Sequence, residues 1–235
     1  MLTSSSQSKT KSQVPSQHLV IMVKEPRMGY VKTRLSKDIG PIKATSFYRR
    51  TTNTIIKRLS IDPRWQTHIA IAPDTALNLP FWPEVNSISP KRSSQGAGDL
   101  GDKMHAQFKK IGKLCGQRKN NGLNIGPGPI LIIGTDIPEI KAAHIADAFK
   151  ALKKKQALIG PSGDGGYWII GQKRSPKLFD LFKNVRWSTE HTYNDTLKNL
   201  DEGHWAITTP LSDVDNGPEY KALNHHSCRL IPSIK

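Results

Sequence analysis

An α/β fold, built on a parallel or mostly parallel sheet flanked by helices, is predicted by three features of the sequence. Short apolar runs alternate with amphipathic stretches from residue 18 onward. The run PILIIG (129–134) is apolar on both faces, as a central parallel strand must be when helices cover both sides of the sheet. Two of the amphipathic stretches also open on proline, which tolerates the first helical position because its missing N–H has no partner there. A chain of 235 residues suits one domain, assigned here to residues 18–235.

The elements follow in order. HLVIMV (18–23) reads as a buried first strand, and PIKATSFYRRTTNTIIKRL (41–59) as a helix whose apolar face carries Ile42, Phe47, Ile55, Ile56 and Leu59. THIAIA (67–72) is a second strand closed by Pro73, and a third short strand is expected near 86–89. GDLGDKMHAQFKKIG (98–112) turns helical after its glycines, and 116–129 is a polar loop rich in Gly, Pro and Asn. After the central strand, PEIKAAHIADAFKALKKK (138–155) is the clearest helix, with Pro138 at its start. ALIGP (157–161) and YWIIG (167–171) are strands joined through Asp164-Gly165-Gly166. STEHTYNDTLKNL (188–200) is a helix capped from Ser188 or Thr189, and HWAITT (204–209) is the last strand.

Composition narrows the function classes. Lys and Arg number 35 against 19 Asp and Glu, a formal charge of +16. Residues 1–120 hold 21 basic and 7 acidic side chains, so the excess sits in that half and favours an anionic ligand. No zinc finger, RNP-type aromatic strand or basic recognition helix is present, which argues against specific nucleic-acid binding. Apolar runs stop at four or five residues, far short of the roughly 20 needed to span a bilayer. The first 17 residues, MLTSSSQSKTKSQVPSQ, lack acids and any signal-peptide core and are expected to be disordered. Cys115 and Cys228 stand alone, so neither a disulfide framework nor a Cys-based zinc cluster forms, and a reducing, cytoplasmic setting fits.

Four segments carry chemistry. KEPRMGYVKTRL (24–35) follows the first strand and brings Lys24, Lys32 and Arg34 to a strand's carboxyl end, where open α/β sheets bind ligands. Lys32 and Arg34, two residues apart, can point together at one phosphate chain. In SQGAGDLGDKM (94–104), Gln95, Gly96, Gly98, Leu100 and Gly101 form a turn whose amides suit phosphate or a nucleobase edge, though neither Walker A nor dinucleotide spacing is met. GTDIP (134–138) puts Asp136 at the end of the central strand, placed either for a hard cation or to cap the next helix. Asp213 and Asp215 in SDVDN alternate along an extended strand end, so one is expected to face the cleft and one to point away; Asp136 with Asp215 suffices for Mg²⁺ or Mn²⁺. GPSGDGGYW (160–168) sets Asp164 beside Gly165, Gly166 and Tyr167, suiting either a hairpin turn or a sugar or polyol acceptor. His191, His204 and the His225-His226 pair show no metal-ligand spacing.

Taken together, PxxGxVKTRL, LGDKM, GTDxP, GPSGDGGYWIIG with a following WST, and the closing DVD resemble the DUF2064 family of glycosyltransferase-A-like proteins, over roughly residues 18–223. The resemblance implies a GT-A fold, a Rossmann-like three-layer α/β/α sandwich with a mixed sheet, acting on a nucleoside-diphosphate sugar and a small-molecule acceptor with a divalent cation. It assigns phosphate binding to Lys32 and Arg34, base or ribose contact to the turn from Gln95 to Gly101, metal to Asp136, and acceptor or catalytic duty to Asp164. The chain departs from the family pattern at Ile137 and at Asn216-Gly217-Pro218, and the second departure leaves the choice between Asp213 and Asp215 open.

The same fold hosts several reactions. In glycosyl transfer, Asp164 would deprotonate the acceptor hydroxyl while the cation stabilises the leaving diphosphate. In nucleotidyl transfer to a small phosphorylated substrate, Lys32, Arg34 and the cation would suffice without a base. A non-catalytic nucleotide-binding module would bind without turnover. The Asp164 carboxylate favours glycosyl transfer.

Overall fold

The computed structural model describes residues 16–80, 82–85, 91–114, 128–173 and 180–228, with the backbone alone for 114 and 224–228. The expected tail through residue 15, the third strand at 86–89, most of the 116–129 loop and the side chains of both cysteines lie outside these residues. Gln17, at the end of the expected tail, accepts a hydrogen bond from Gln66 N at 2.9 Å.

Among the described residues the strands are β1 His18–Lys24, β2 Gln66–Ala72, β3 Arg92–Ser94, β4 Ile130–Ile133, β5 Ala157–Pro161, β6 Tyr167–Gln172 and β7 Trp205–Ile207, ordered β3-β2-β1-β4-β6-β5-β7 in one sheet. β6 runs antiparallel to β4 and β5, while the other neighbours are parallel. The helices are α1 Thr33–Ile39, α2 Pro41–Ser60, α3 Leu100–Leu114, α4 Ala142–Lys154, α5 Thr192–Leu197 and α6 Gly217–Cys228.

Period-two alternation sends β1 side chains to two cores. Leu19, Ile21 and Val23 pack with Ile55, Ile56 and Leu59 of α2 and with Ile145, Phe149 and Leu152 of α4. Val20 and Met22 pack with Met104, Phe108 and Ile111 of α3 and with Leu181 and Phe182. Each fully buried Leu, Ile or Phe stabilises by about 1.5–3 kcal/mol. The result is the α/β/α sandwich that the sequence predicts. A smaller cluster of Leu35, Ala44, Phe47 and Val214 seats α1 against α2 and the Asp213–Asp215 segment.

Several boundaries differ from the sequence reading. The basic segment after β1 is not a loop throughout, since α1 begins at Thr33 and takes in Arg34. Ile42 lies on the outer face of α2 and is exposed. The edge strand next to β2 is Arg92–Ser94. α4 starts at Ala142 rather than Pro138, because Pro138 and Ile140 turn toward α2, where Arg58 Nη1 donates to their carbonyls at 3.1 and 2.6 Å. α5 starts at Thr192, since Thr189 Oγ1 is engaged by Arg186 O and His191 N in a preceding turn, with Ser188 at φ 60°.

The strand order fixes where a ligand can sit. From β1 the chain moves outward to β2 and β3, then returns to the opposite side of β1 as β4. The crevice between the carboxyl ends of β1 and β4 is therefore a topological switch point, where open α/β sheets bind ligands. Because β6 is antiparallel, its first residue, Tyr167, and the last residue of β5, Pro161, lie at this same edge.

Candidate active site

Lys32, Asp136, Asp164, Asp213 and Asp215 all come from loops at the carboxyl edge. Lys32 precedes α1 in the left-handed conformation, φ 47° and ψ 46°, and its side chain is only 3% exposed. Its Nζ lies 2.8 Å from Asp215 Oδ1 and 3.5 Å from Asp136 Oδ2. One ammonium thus bridges the two carboxylates read from the sequence as cation ligands, across the switch-point crevice. Arg34 Nη1 approaches the other oxygen of Asp215 at 3.2 Å from a largely exposed position. Lys32 and Arg34 do converge, as their spacing allows, but on a carboxylate of this chain.

Asp213 and Asp215 both line the cleft, correcting the expectation that one turns away. Residues two apart in extended backbone share a side, and the buried Val214 between them takes the opposite side. Backbone bonds anchor the segment: Leu211 N donates to Pro161 O, and Val214 N to Asp136 O at 3.4 Å. Burial and the adjacent Asp215 push the Asp213 carboxyl up to about 6, with Asp164 adding to the rise. Burial acts in the same direction on Asp215, but the Lys32 hydrogen bond and charge outweigh it and hold this carboxyl below its ordinary value. For Lys32, the Asp136 and Asp215 charges overcome burial and raise its ammonium above the ordinary value. The sequence offered Asp213 only as the alternative to Asp215; the i, i+2 spacing is the signal that both face the cleft.

Asp164 lines the same cleft. Its Oδ1 accepts from Ser162 Oγ at 2.5 Å and from Gly166 N at 3.0 Å, so the acid does hold the turn between β5 and β6. Oδ2 has no hydrogen bond among the described residues and is left to the cleft. The cleft has a volume of about 590 Å³, with Arg34 and Lys37 on the α1 wall facing Asp164, Asp213 and Asp215.

Beneath the crevice, the buried Tyr48 hydroxyl accepts from Lys24 N at 2.8 Å and donates to Lys24 O at 3.2 Å, while Thr52 bonds Thr135 at 3.2 Å. These contacts tie the ends of β1 and β4 to α2. Burial, with the nearby Asp136, pushes the Tyr48 phenol up to about 12.

Other residues singled out in the sequence are placed for structure. Gln95 is 4% exposed and its Nε2 donates to Val23 O and Ala70 O at 2.8 and 2.9 Å, leaving that amide nitrogen no free donor for a base edge. Gly96 and Gly98 adopt φ 90° and 92° in the turn before α3. Asp99 and Asp102 exchange backbone-to-carboxylate bonds there, a reciprocal N-cap. Leu100 is exposed, whereas a Cβ on Gly101 would stand 2.5 Å from Trp187. Gly165 is required by the Glu190 backbone, whose carbonyl oxygen would lie 2.5 Å from a Cβ, and Gly166 donates its N–H to Asp164. Tyr167 packs in the α3-side core and burial raises its phenol, so it does not face an acceptor. A bulge between β5 and β6 produces this inversion, putting Trp168 into the α2-side core and Tyr167 into the other. Lys24 is exposed at the end of β1.

Among the described residues no three His, Cys, Asp or Glu side chains are arranged as a closed metal cage, and no helix is long and apolar enough to cross a membrane. Hard divalent cations do not need such a cage: Mg²⁺ commonly takes one or two carboxylates, keeps waters and shares phosphate oxygens. The donor chemistry at the crevice fits, since Asp136 and Asp215 already hold one positive charge between them.

The fold recurs in solved structures. A proposed nucleotide-diphospho-sugar transferase from Desulfovibrio desulfuricans G20 matches 91% of this chain and 96% of its own length at 24% identity, with a TM-score of 0.71. The Rv0371c protein of Mycobacterium tuberculosis H37Rv matches 91% of this chain and all of its own length at 12% identity and a TM-score of 0.50. At these identities the likeness is one of fold. No curated protein matches the chain. The family model described as "uncharacterized protein conserved in bacteria" (DUF2064) matches residues 55–189, which include β4, the Asp136 turn and the Asp164 hairpin. With the family model matching more than half of the sequence, the chain belongs to the DUF2064 family.

Proposed function

We propose that this protein transfers a sugar from a nucleoside-diphosphate sugar to the hydroxyl of a small-molecule acceptor, with a divalent cation. The observation that carries this reading is the convergence of Asp136, Asp213, Asp215 and Asp164 with Lys32 and Arg34 on one crevice at the topological switch point. The shared fold supports the donor class. Asp136 and Asp215 would hold the cation, which when bound supplies positive charge to the departing diphosphate. Lys32 and Arg34 supply charge-assisted hydrogen bonds to the same phosphates. Asp164, its Oδ1 fixed by Ser162 and Gly166, presents Oδ2 to accept the acceptor's proton. The Tyr48 and Thr52 contacts keep the two strand ends from parting while these groups act.

Thermal unfolding with nucleoside diphosphates and nucleotide sugars, each with Mn²⁺ or with EDTA, tests donor class and cation together, since a ligand of the native state stabilises by RT ln(1 + [L]/Kd). Stabilisation by a nucleoside diphosphate that needs Mn²⁺, followed by release of the nucleoside diphosphate from the matching sugar donor when the acceptor is supplied, is expected. Equal stabilisation in EDTA would remove the cation. Pyrophosphate release from a nucleoside triphosphate with a phosphorylated co-substrate would instead assign nucleotidyl transfer, and tight binding without turnover a binding module.

A further inference from the structure

Lysine is among the side chains least often buried, yet Lys32 is 3% exposed and spans Asp136 and Asp215. We propose that Lys32 is a resident counter-cation, displaced by a divalent ion from between Asp136 and Asp215 and thereby delivered to the phosphates of the incoming ligand. The proposal rests on the cation reading above and adds an exchange that this reading does not require.

The geometry favours the exchange. The two carboxylate oxygens lie no further apart than the sum of their distances to one Nζ, 2.8 and 3.5 Å. Hard cations bind such oxygens at about 2.0–2.6 Å, closer than an ammonium sits, and like charges confined between the same two oxygens repel strongly. One must leave. Arg34 stays outside the bridge, on the far oxygen of Asp215. The four-carbon lysine stem lets the ammonium swing while the backbone stays in place. Asp38, Asp164, Asp213, Asp215 and Glu219 line the cleft and Asp136 joins them through Lys32, so six carboxylates meet three cationic side chains, Lys32, Arg34 and Lys37, and the crevice is under-neutralised and accepts a higher charge. The displaced ammonium then lies beside a dication, where an anionic diphosphate satisfies both. Cation and diphosphate therefore strengthen each other's binding, while the cation alone competes with a tethered ammonium.

Mn²⁺ titrations, alone and with pyrophosphate, followed by electron paramagnetic resonance on wild type and Lys32→Met, separate the possibilities. Wild type should bind Mn²⁺ weakly alone and about tenfold more tightly with pyrophosphate, and Lys32→Met should bind Mn²⁺ alone about tenfold more tightly than wild type but respond little to pyrophosphate. Unchanged or weaker Mn²⁺ binding by the variant would overturn the exchange while leaving the cation site standing; no Mn²⁺ binding by either protein would remove the cation reading as well. A second measurement covers a variant that fails to fold. In wild type, acetylation of Lys32, read by mass spectrometry against exposed Lys24, should be slow in EDTA, faster with Mn²⁺ and slow again with Mn²⁺ and pyrophosphate. A Lys32 rate indifferent to Mn²⁺ would overturn the proposal.

Discussion

At Asp164 one carboxylate oxygen, Oδ1, holds the turn, while Oδ2 has no hydrogen bond among the described residues. Asp164→Asn keeps an acceptor oxygen for Ser162 and Gly166 but cannot take a proton. In the proposed reaction it should lower transfer by about 10²–10⁴, with an unchanged melting temperature and donor affinity. A loss of stability alone would reduce Asp164 to its turn. Arg34 makes its contact from the exposed face of α1, so Arg34→Ala should weaken nucleoside-diphosphate binding by about 1.5–3 kcal/mol and leave the bare nucleoside nearly unaffected; calorimetry with both ligands distinguishes them. The sequence made these two residues legible because each is a charged side chain in a segment that follows a strand's carboxyl end. It did not reveal that Gln95 is consumed by two carbonyls of the sheet, or that Tyr167 is turned into the core, because both depend on contacts with distant strands and on a bulge.

Elements rather than single residues carry the second kind of consequence. The segment before α5 and the first turn of α5 cross Gly165, with the Glu190 backbone against it and Tyr193 N donating to Gly165 O at 2.9 Å, and the segment is held by the Asp195 carboxylate. Asp195 is 5% exposed and pairs with Arg186 Nε at 2.7 Å and Lys198 Nζ at 3.0 Å. The Arg186 and Lys198 hydrogen bonds hold its carboxyl well below the ordinary range. As pH falls through about 4, the unfolded carboxyl takes up a proton before the folded one does, so this stabilisation, complete above that pH, is lost progressively below it. Melting temperatures of wild type and Asp195→Asn should accordingly differ at pH 6 and converge toward pH 2. The long periodic helices α2 and α3 and the apolar strands are readable from composition and spacing. α1 escapes because seven residues show barely two turns of periodicity. The early starts read for α4 and α5 fail because Arg58 and Thr189, not propensity, set those boundaries.

At the scale of the whole molecule, a chain of net charge +16 places an acid-rich cleft at one sheet edge. The surrounding field should draw in an anionic nucleotide, and screening should weaken it. Raising salt from low to physiological strength, where the Debye length is roughly 8 Å, should slow stopped-flow association of a nucleoside diphosphate by about tenfold while changing dissociation little. Equal effects on both rates would place the dependence in the bound contacts. The bridge from Lys32 to Asp215 joins residues 183 positions apart. Loop closure over such a span comes late, because its entropy must be met by contacts already formed. A chain emerging from the ribosome can therefore complete β1 to β4 without the Lys32–Asp215 bridge, and the proposed nucleotide binding would then report finished folding.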